Sequence, residues 1–341
     1  MGKKKKHSGD ALGRLSRFGL LGVVALMVAA NGFVHMPREW RDAKTATWPT
    51  PVVRAVTTFG HAFADYTDAL GLSGHDVAVD LPVFTSPGGF VFAGNPKPIP
   101  GGVAPKDVVT LHKKAFSVGW SPSQRHAVWA AYRVPLTQKP FDLSRPSFSP
   151  DPAALHSPKA NAYARSGYDR GHLVPNHAIS SRFGKEAQVE TFLMSNIAPQ
   201  RPWLNQGPWA NVELRIADHW PDRYGDVWVI VGTILSPDPR PQKLRGGIGI
   251  PTAFYQIAVT RHKEQIRACA VVMPQWISRR ARPRVYLATI DEIERLSGFD
   301  FFSALPDEEE ALLESGRPTR LWPSGFRGLV SIIKRRYGIY K

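Results

Sequence analysis

The sequence predicts an α+β fold, a central antiparallel sheet flanked by helices, and three observations carry that expectation. Short runs rich in β-branched and aromatic residues come close together at Val108 to Leu111, Phe116 to Trp120 and His126 to Val134, the spacing of an antiparallel meander. A second set follows at Val227 to Ile234, Ala253 to Thr260 and Ala268 to Met273. Between the two sets, Trp209, Val212, Ile216 and Trp220 recur near helical spacing.

Taken in chain order, residues 1–35 read as a membrane-directing segment. Lys3, Lys4, Lys5, Lys6, Arg14 and Arg17 precede Phe18 to Val34, seventeen residues without a charge. Val28-Ala29-Ala30 offers small residues for cleavage, and the segment reads as an uncleaved signal anchor in preference to a cleaved signal peptide. Either form places the rest of the chain outside, on the periplasmic side of an inner membrane, or free in the periplasm or medium if cleaved. Residues 36–85 read as a stem or accessory segment with one amphipathic helix near Val53 to Leu72. A Gly/Pro-rich patch then leads into the main domain, residues 86–320. The Pro/Ser-rich stretch from Phe141 to Tyr163 reads as a long loop, of the length that is usually functional or mobile. Short helices at Asp291 to Leu296 and Asp307 to Glu314 close the domain, and residues 321–341 form a basic tail.

Composition narrows the partners. With 341 residues and 43% apolar side chains the chain can bury a substantial core, which excludes a disordered protein. Its formal charge is +16, of which the first 17 residues hold only +5, so the folded part is itself basic and suits polyanions such as nucleic acid or anionic lipid. The single cysteine, Cys269, lies in an apolar run, which excludes an internal disulfide and points to a buried, inert thiol.

The chemistry concentrates in Asp169-Arg170-Gly171-His172, lying between Gly167 and Pro175. An imidazole acts as a base near neutral pH, and a guanidinium meets a phosphate with a planar fork of donors. Read alone, the string is also a surface turn held by an Asp–Arg pair. Downstream stand Asn196 in Ser-Asn-Ile-Ala-Pro-Gln, then Asn205 and Glu213. Asn and Glu offer hard oxygens to a cation such as magnesium, which keeps most of its own waters. Each has a plainer reading: Asn205 as a helix cap, Glu213 as a solvated helix carboxylate, Asn196 as a partner for backbone groups in a buried turn. Lys159, Arg165 and Arg182 flank the motif as surface charges, and Trp203 is expected in the core, with base stacking as its other use.

Asp169-Arg170-Gly171-His172, Ser195-Asn196-Ile197-x-Pro199-Gln200 and Leu204-Asn205-Gln206-Gly207-x-Trp209-x-x-x-Glu213, in that order, resemble the DNA/RNA non-specific endonucleases, the ββα-metal group that includes endonuclease G. Flanking similarity extends the resemblance over roughly residues 90 to 315. It implies a ββα-metal finger built on the sheet and a Mg²⁺-dependent (Mn²⁺ as substitute) hydrolysis of DNA and RNA to 5′-phosphate and 3′-hydroxyl ends. By the same resemblance His172 is the general base, Asn205 the direct metal ligand, Glu213 the holder of metal-bound waters and Arg170 the phosphate contact. Asn196 positions the site, Asp169 is a buried partner, and a further upstream arginine is sought at Arg133. The alternatives from other classes are a catalytically silent nucleic-acid-binding protein at the envelope and a phosphodiesterase on a small phosphodiester. Whether a second copy of the chain or an inhibitor protein joins DNA, RNA and membrane as partners is left open by the residues.

Overall fold

A computed structural model describes residues 38–72, 74–80, 89–137 and 144–325 apart from 239, 263 and 264, with a few positions near either end (29, 32, 33, 36 and 328). The expected signal segment and most of the basic tail lie outside the described residues. No described helix is long and apolar enough to cross a membrane. The chain divides into two compact units, Met1–Leu72 and Ser73–Lys341.

The described part of the first unit is helical: α1 spans Arg38–Thr45 and α2 spans Thr50–Leu70. Pro51 in the first turn of α2 fits where the backbone N–H has no intrahelical partner anyway. Gly71 ends the helix in the left-handed region, φ 71°, its N–H returning to Asp68 O.

The second unit is built on one antiparallel sheet. Its strands are β1 (Val77–Asp80), β3 (Val109–His112), β4 (Phe116–Ser121), β5 (His126–Val134), β8 (Val227–Ile234), β9 (Ala253–His262), β10 (Gln265–Pro274) and β11 (Leu287–Ala288). The order along the sheet is β1-β10-β9-β8-β5-β4-β3, so the expected meander and the second set of strands are both present and join at β5 and β8. The expected accessory segment ends earlier than its composition implied: Val77–Asp80 pairs with Gln265 to Ala268 and forms a sheet edge. Two small ribbons accompany the sheet, β2 (Lys97–Pro98) with β12 (Phe299–Asp300), and β6 (Asp169–His172) with β7 (Ile197–Gln200).

Apolar layers cover both sheet faces, which is why β8 reads as an unbroken apolar run. Val229 and Val231 join one core cluster with Val118, Tyr132, Trp209, Ile216 and Trp220. Trp228 and Ile230 point to the other, with Trp129, Ile257, Ile293, Phe299 and Phe302. Along β5 the alternation slips at Val128, where an extra residue sits between the partners of Gly119 and Trp120. A Cβ on Gly119 would stand 2.2 Å from Trp129 Nε1, so this glycine makes room for the indole.

Helices supply the covering layers. α3 (Asn176–Phe183) and α4 (Lys185–Thr191) occupy the polar segment that carried no helical pattern in the sequence. A helical run over residues 202–224 buries Trp209, Val212, Ile216 and Trp220, as their spacing predicts. α5 (Ile290–Ser297) carries a full capping box, Thr289 with Glu292, and α6 (Asp307–Ser315) follows. Cys269 is buried, and that burial pushes its thiol up to about 12, so it is inert as expected.

His126, fully buried at the start of β5, donates from Nδ1 to Ala127 O (2.8 Å) while Nε2 has no partner. Burial holds its pKa down at about 4. The unfolded chain therefore binds a proton that the folded one refuses, and stability present above pH 6.5 is lost as pH falls toward 4, by at most about 3 kcal/mol. Melting temperatures between pH 7 and 4 check this: His126→Gln should flatten the acid slope relative to wild type, and parallel slopes would refute the assignment.

Candidate active site

β6 and β7 pair across the intervening α3 and α4, and β7 leads directly into the helical run that begins at Pro202, so the two strands and the helix make a strand–strand–helix unit. β6 and β7 are antiparallel, with Asp169 opposite Gln200 and His172 opposite Ile197. The Asp–Arg–Gly–His string is therefore a strand and not a turn. Gly171 is needed for close approach: a Cβ there would stand 2.4 Å from Gln200 Oε1 and 2.6 Å from its Cβ. At the start of the helical run, Gly207 leaves helical geometry (φ −112°, ψ −117°) and Pro208 follows it, so residues 205–209 form a wide π-type turn.

A cleft of about 910 Å³ opens over this unit, and Asp169, Arg170, His172, Asn205 and Glu213 all line it. One carboxylate ties two of the elements together. Asn205 Nδ2 and Gln206 Nε2 each donate to Asp169 Oδ2, both at 2.9 Å. An ionised carboxylate only accepts, so it fixes which end of the Asn205 amide faces it and leaves Oδ1 as the remaining polar atom of that side chain. Asp169, expected as a buried partner, is only half-buried and accepts from these two amides. Asn205 has helical backbone angles, φ −55° and ψ −48°, and so is not the helix N-cap of the plainer reading.

His172 stands between two aromatic rings, 5.4 Å from Phe148 and 5.0 Å from Phe192, edge-on to the latter. Its Nε2 is buried and meets no hydrogen-bond partner. Burial chiefly, with Arg145 and then Arg170 adding repulsion, depresses its pKa to about 3, so the ring is neutral at neutral pH. Arg170 lies over Phe148 at 4.6 Å, and Arg145 over Phe192 at 5.7 Å. Arg145 also lines the cleft and is the second arginine there. Arg133, where one was sought, stands elsewhere: it lies over Trp228 and pairs with Asp226 at 3.4 Å. Nothing in the local pattern marks Arg145, although it sits in the long Pro/Ser-rich loop whose length was itself the signal.

Asn196 does not reach the cleft. It is fully buried, its Oδ1 accepting from Val174 N–H (2.9 Å) and its Nδ2 donating to Val174 O (3.0 Å) and Thr191 O (2.9 Å). It is the buried-turn partner of the plainer reading, and it fixes the chain just after His172. Its neighbour Ser195 donates to Asp151 Oδ2 (2.5 Å), which Lys113 also meets (2.6 Å) with both charges buried. Burial alone would push the Asp151 carboxyl up, but Lys113 and Ser195 together hold it below its ordinary value. Arg182 departs from its expected surface role: only 2% exposed, it donates to Pro135 O, Ser181 Oγ and Ala217 O. His177 lines the cleft and its Nε2 meets Asp218 Oδ1 at 2.7 Å. Lys159 and Arg165 are exposed. Trp203, expected in the core, is 65% exposed.

The donor set fits a hard divalent cation. Asn205 and Glu213 bring an amide and a carboxylate oxygen to one cleft. The groups of three carboxylates among the described residues lie instead at Asp291, Glu294 and Glu314 and at Asp300, Glu310 and Glu314. A cation held in the cleft would keep most of its waters, which is magnesium's habit.

The family described as DNA/RNA non-specific endonuclease matches residues 99–308. The chain is 29% identical over 204 residues to mitochondrial endonuclease G of Bos taurus, covering 55% of this chain and 67% of that one. It is 28% identical over 180 residues to the mitochondrial nuclease EXOG of Mus musculus, 48% of each. A nuclease of Nostoc sp. is 26% identical over 221 residues, 61% of this chain and 78% of the other. The chain spans about half to three fifths of the length of the EXOG relatives. Among solved structures, one titled as the EndoG/EndoGI complex superposes with TM-score 0.54 at 22% identity, covering 59% of this chain and 88% of that one, a likeness of fold.

Removing the Asn196 amide strands three buried backbone groups, at about 1–3 kcal/mol each. Asn196→Ala should lose at least about 3 kcal/mol in urea unfolding, whereas Asn205→Ala, at the half-exposed cleft wall, should lose less than about 1 kcal/mol. Equal midpoints for wild type and Asn196→Ala would contradict this division.

Proposed function

Because the chain belongs to the DNA/RNA non-specific endonuclease family, we propose that it is a metal-dependent endonuclease hydrolysing phosphodiester bonds of both DNA and RNA. The observation that carries the proposal is the single cleft holding an unprotonated imidazole, two arginines, an oriented amide and a carboxylate. Hydrolysis of a phosphodiester needs a base for the attacking water and positive charge for the phosphoryl and leaving oxygens.

His172 takes the proton from water, its neutral ring lining the cleft. A pKa of about 3 makes a weak base, but a phosphate entering between Arg145 and Arg170 offsets their repulsion and raises it toward the working range. The two guanidiniums hold the phosphoryl oxygens, and stacking on Phe148 and Phe192 keeps them in place with no carboxylate partner among the described residues. Asn205 would hold the cation directly and Glu213 its bound waters, with Asp169 and Gln206 fixing the amide. The cation, Mg²⁺ by the hardness of its donors and Mn²⁺ as substitute, would supply charge neutralisation at the phosphoryl and leaving oxygens. Attack from the side of His172 releases 5′-phosphate and 3′-hydroxyl ends in this reading. The basic folded part favours long polyanions over small phosphodiesters. Placement beyond a membrane remains part of the proposal and rests on the charge and apolarity of residues 3–34.

Cleavage of plasmid DNA and of RNA by the full chain tests the reading. Chelation with EDTA should abolish both activities and added Mg²⁺ restore them. His172→Ala should lower kcat by roughly 10²–10⁴-fold with the fold intact. Activity that survives EDTA and His172→Ala unchanged would refute the proposal. Arg145→Ala should cost at least about tenfold in kcat/KM on both nucleic acids, while Arg133→Ala should stay within about twofold.

A further inference from the structure

We propose that a second surface, beside the cleft, stacks unpaired bases and so makes single-stranded nucleic acid the favoured substrate; this rests on the nuclease reading above. Two tryptophans form it. Trp203 is 65% and Trp276 74% exposed, and both line a groove of about 480 Å³ together with Ile277, Ser278, Arg279 and Arg280. Indoles so far out of the core present a flat π-face to solvent, and every base has a matching one.

The surface is held in shape. The Arg201 guanidinium lies 4.0 Å from the ring centre of Trp276 and 4.0 Å from that of Tyr168, a sandwich that fixes the indole despite its exposure. Gln275 clamps the loop to the end of β7, its Nε2 donating to Pro199 O (2.6 Å) and its Oε1 accepting from Arg201 N–H (2.9 Å). Gly207 lets the same loop close on the helical run, since a Cβ there would stand 2.7 Å from Arg279 O. Both loop contacts fall next to cleft residues.

The surface is also continuous with the chemistry. Tyr168 precedes Asp169, and Trp203 lies two residues before Asn205. Arg201, Arg279 and Arg280 give it the charge that a phosphate backbone requires, in a chain of formal charge +16. A strand whose scissile phosphate lies between Arg145 and Arg170 would pass its neighbouring bases over the two indoles. Paired bases cannot do this, because their faces are taken up within the duplex stack.

Affinity for matched single and double strands tests the inference. In the full-length His172→Ala chain with EDTA, to prevent turnover, Kd is measured by fluorescence anisotropy for a 12-nucleotide single strand and a 12-base-pair duplex. Trp203→Ala with Trp276→Ala should raise the single-strand Kd at least about tenfold and the duplex Kd less than about twofold. Trp203→Phe with Trp276→Phe should bring the single-strand value back to within about threefold of the parent. Equal losses on both ligands, or no loss on either, would overturn the inference, the latter assigning the surface to a protein contact. Cleavage by the wild-type chain is scored separately: a chain that cuts nucleic acid while its variant keeps the parental Kd ratio refutes the stacking surface alone. A chain that cuts neither DNA nor RNA refutes the function itself.

Discussion

One carboxylate oxygen joins the two halves of this site. Asp169 sits at the start of a strand, Asn205 and Gln206 sit in the first turns of the helical run, and both amides donate to the same Oδ2. Because a carboxylate has no hydrogen to give, the bond dictates the sense of the Asn205 amide as well as its place. The consequence is an oxygen donor held ready at the cleft, on an element separate from the one that carries His172. A flexible amide would have to be ordered at each binding event, with a cost in rotamer freedom that this contact removes beforehand.

The rest of the structure keeps that junction in register. Gly171 admits Gln200 against the strand, and Gly207 admits the backbone of Arg279 against the helix, so both glycines serve close approach where a methyl group would collide. Asn196 satisfies both backbone groups of Val174, one residue beyond the His172-Leu173 pair, and Ser195 is tied through Asp151 to Lys113 near the start of β4. These polar groups are buried and paired, the condition under which buried polarity rigidifies rather than weakens a core. The aromatic pair Phe148 and Phe192 then carries three cationic or ionisable groups on its faces and edges: His172, Arg170 and Arg145. Burial, with repulsion from Arg145 and Arg170 added, keeps the imidazole neutral.

The sheet was legible because its central strands are apolar on both faces, so Val227–Ile234 and His126–Val134 stand out with their full lengths. α3 and α4 were not, because their buried positions include Ser180, Ser181 and Thr191, which bond to carbonyls of their own helices, and Arg182 and Gln188, which bond to distant backbone, and these interrupt any apolar stripe. The membership of the cleft followed from the ordered motifs, with five of the six named side chains meeting there. Asn196 reads like a site residue in sequence because a buried clamp and a ligand use the same amide chemistry. Trp203 and Arg182 fell to the opposite error: apolarity argued for burial and charge for exposure, and tertiary hydrogen bonds and loop packing decided otherwise. Arg145 lies in a stretch with no periodicity, so only the folded loop brings it to the cleft.

The most direct test of the Asp169–Asn205 constraint is a Mn²⁺ titration of the full chain followed by electron paramagnetic resonance, with catalysis left out of the readout. The account requires one cleft-bound Mn²⁺ per chain, lost in Asn205→Ala and weakened roughly 10- to 100-fold in Asp169→Ala, with both variants still folded. Mn²⁺ binding that is unchanged in Asn205→Ala would contradict it.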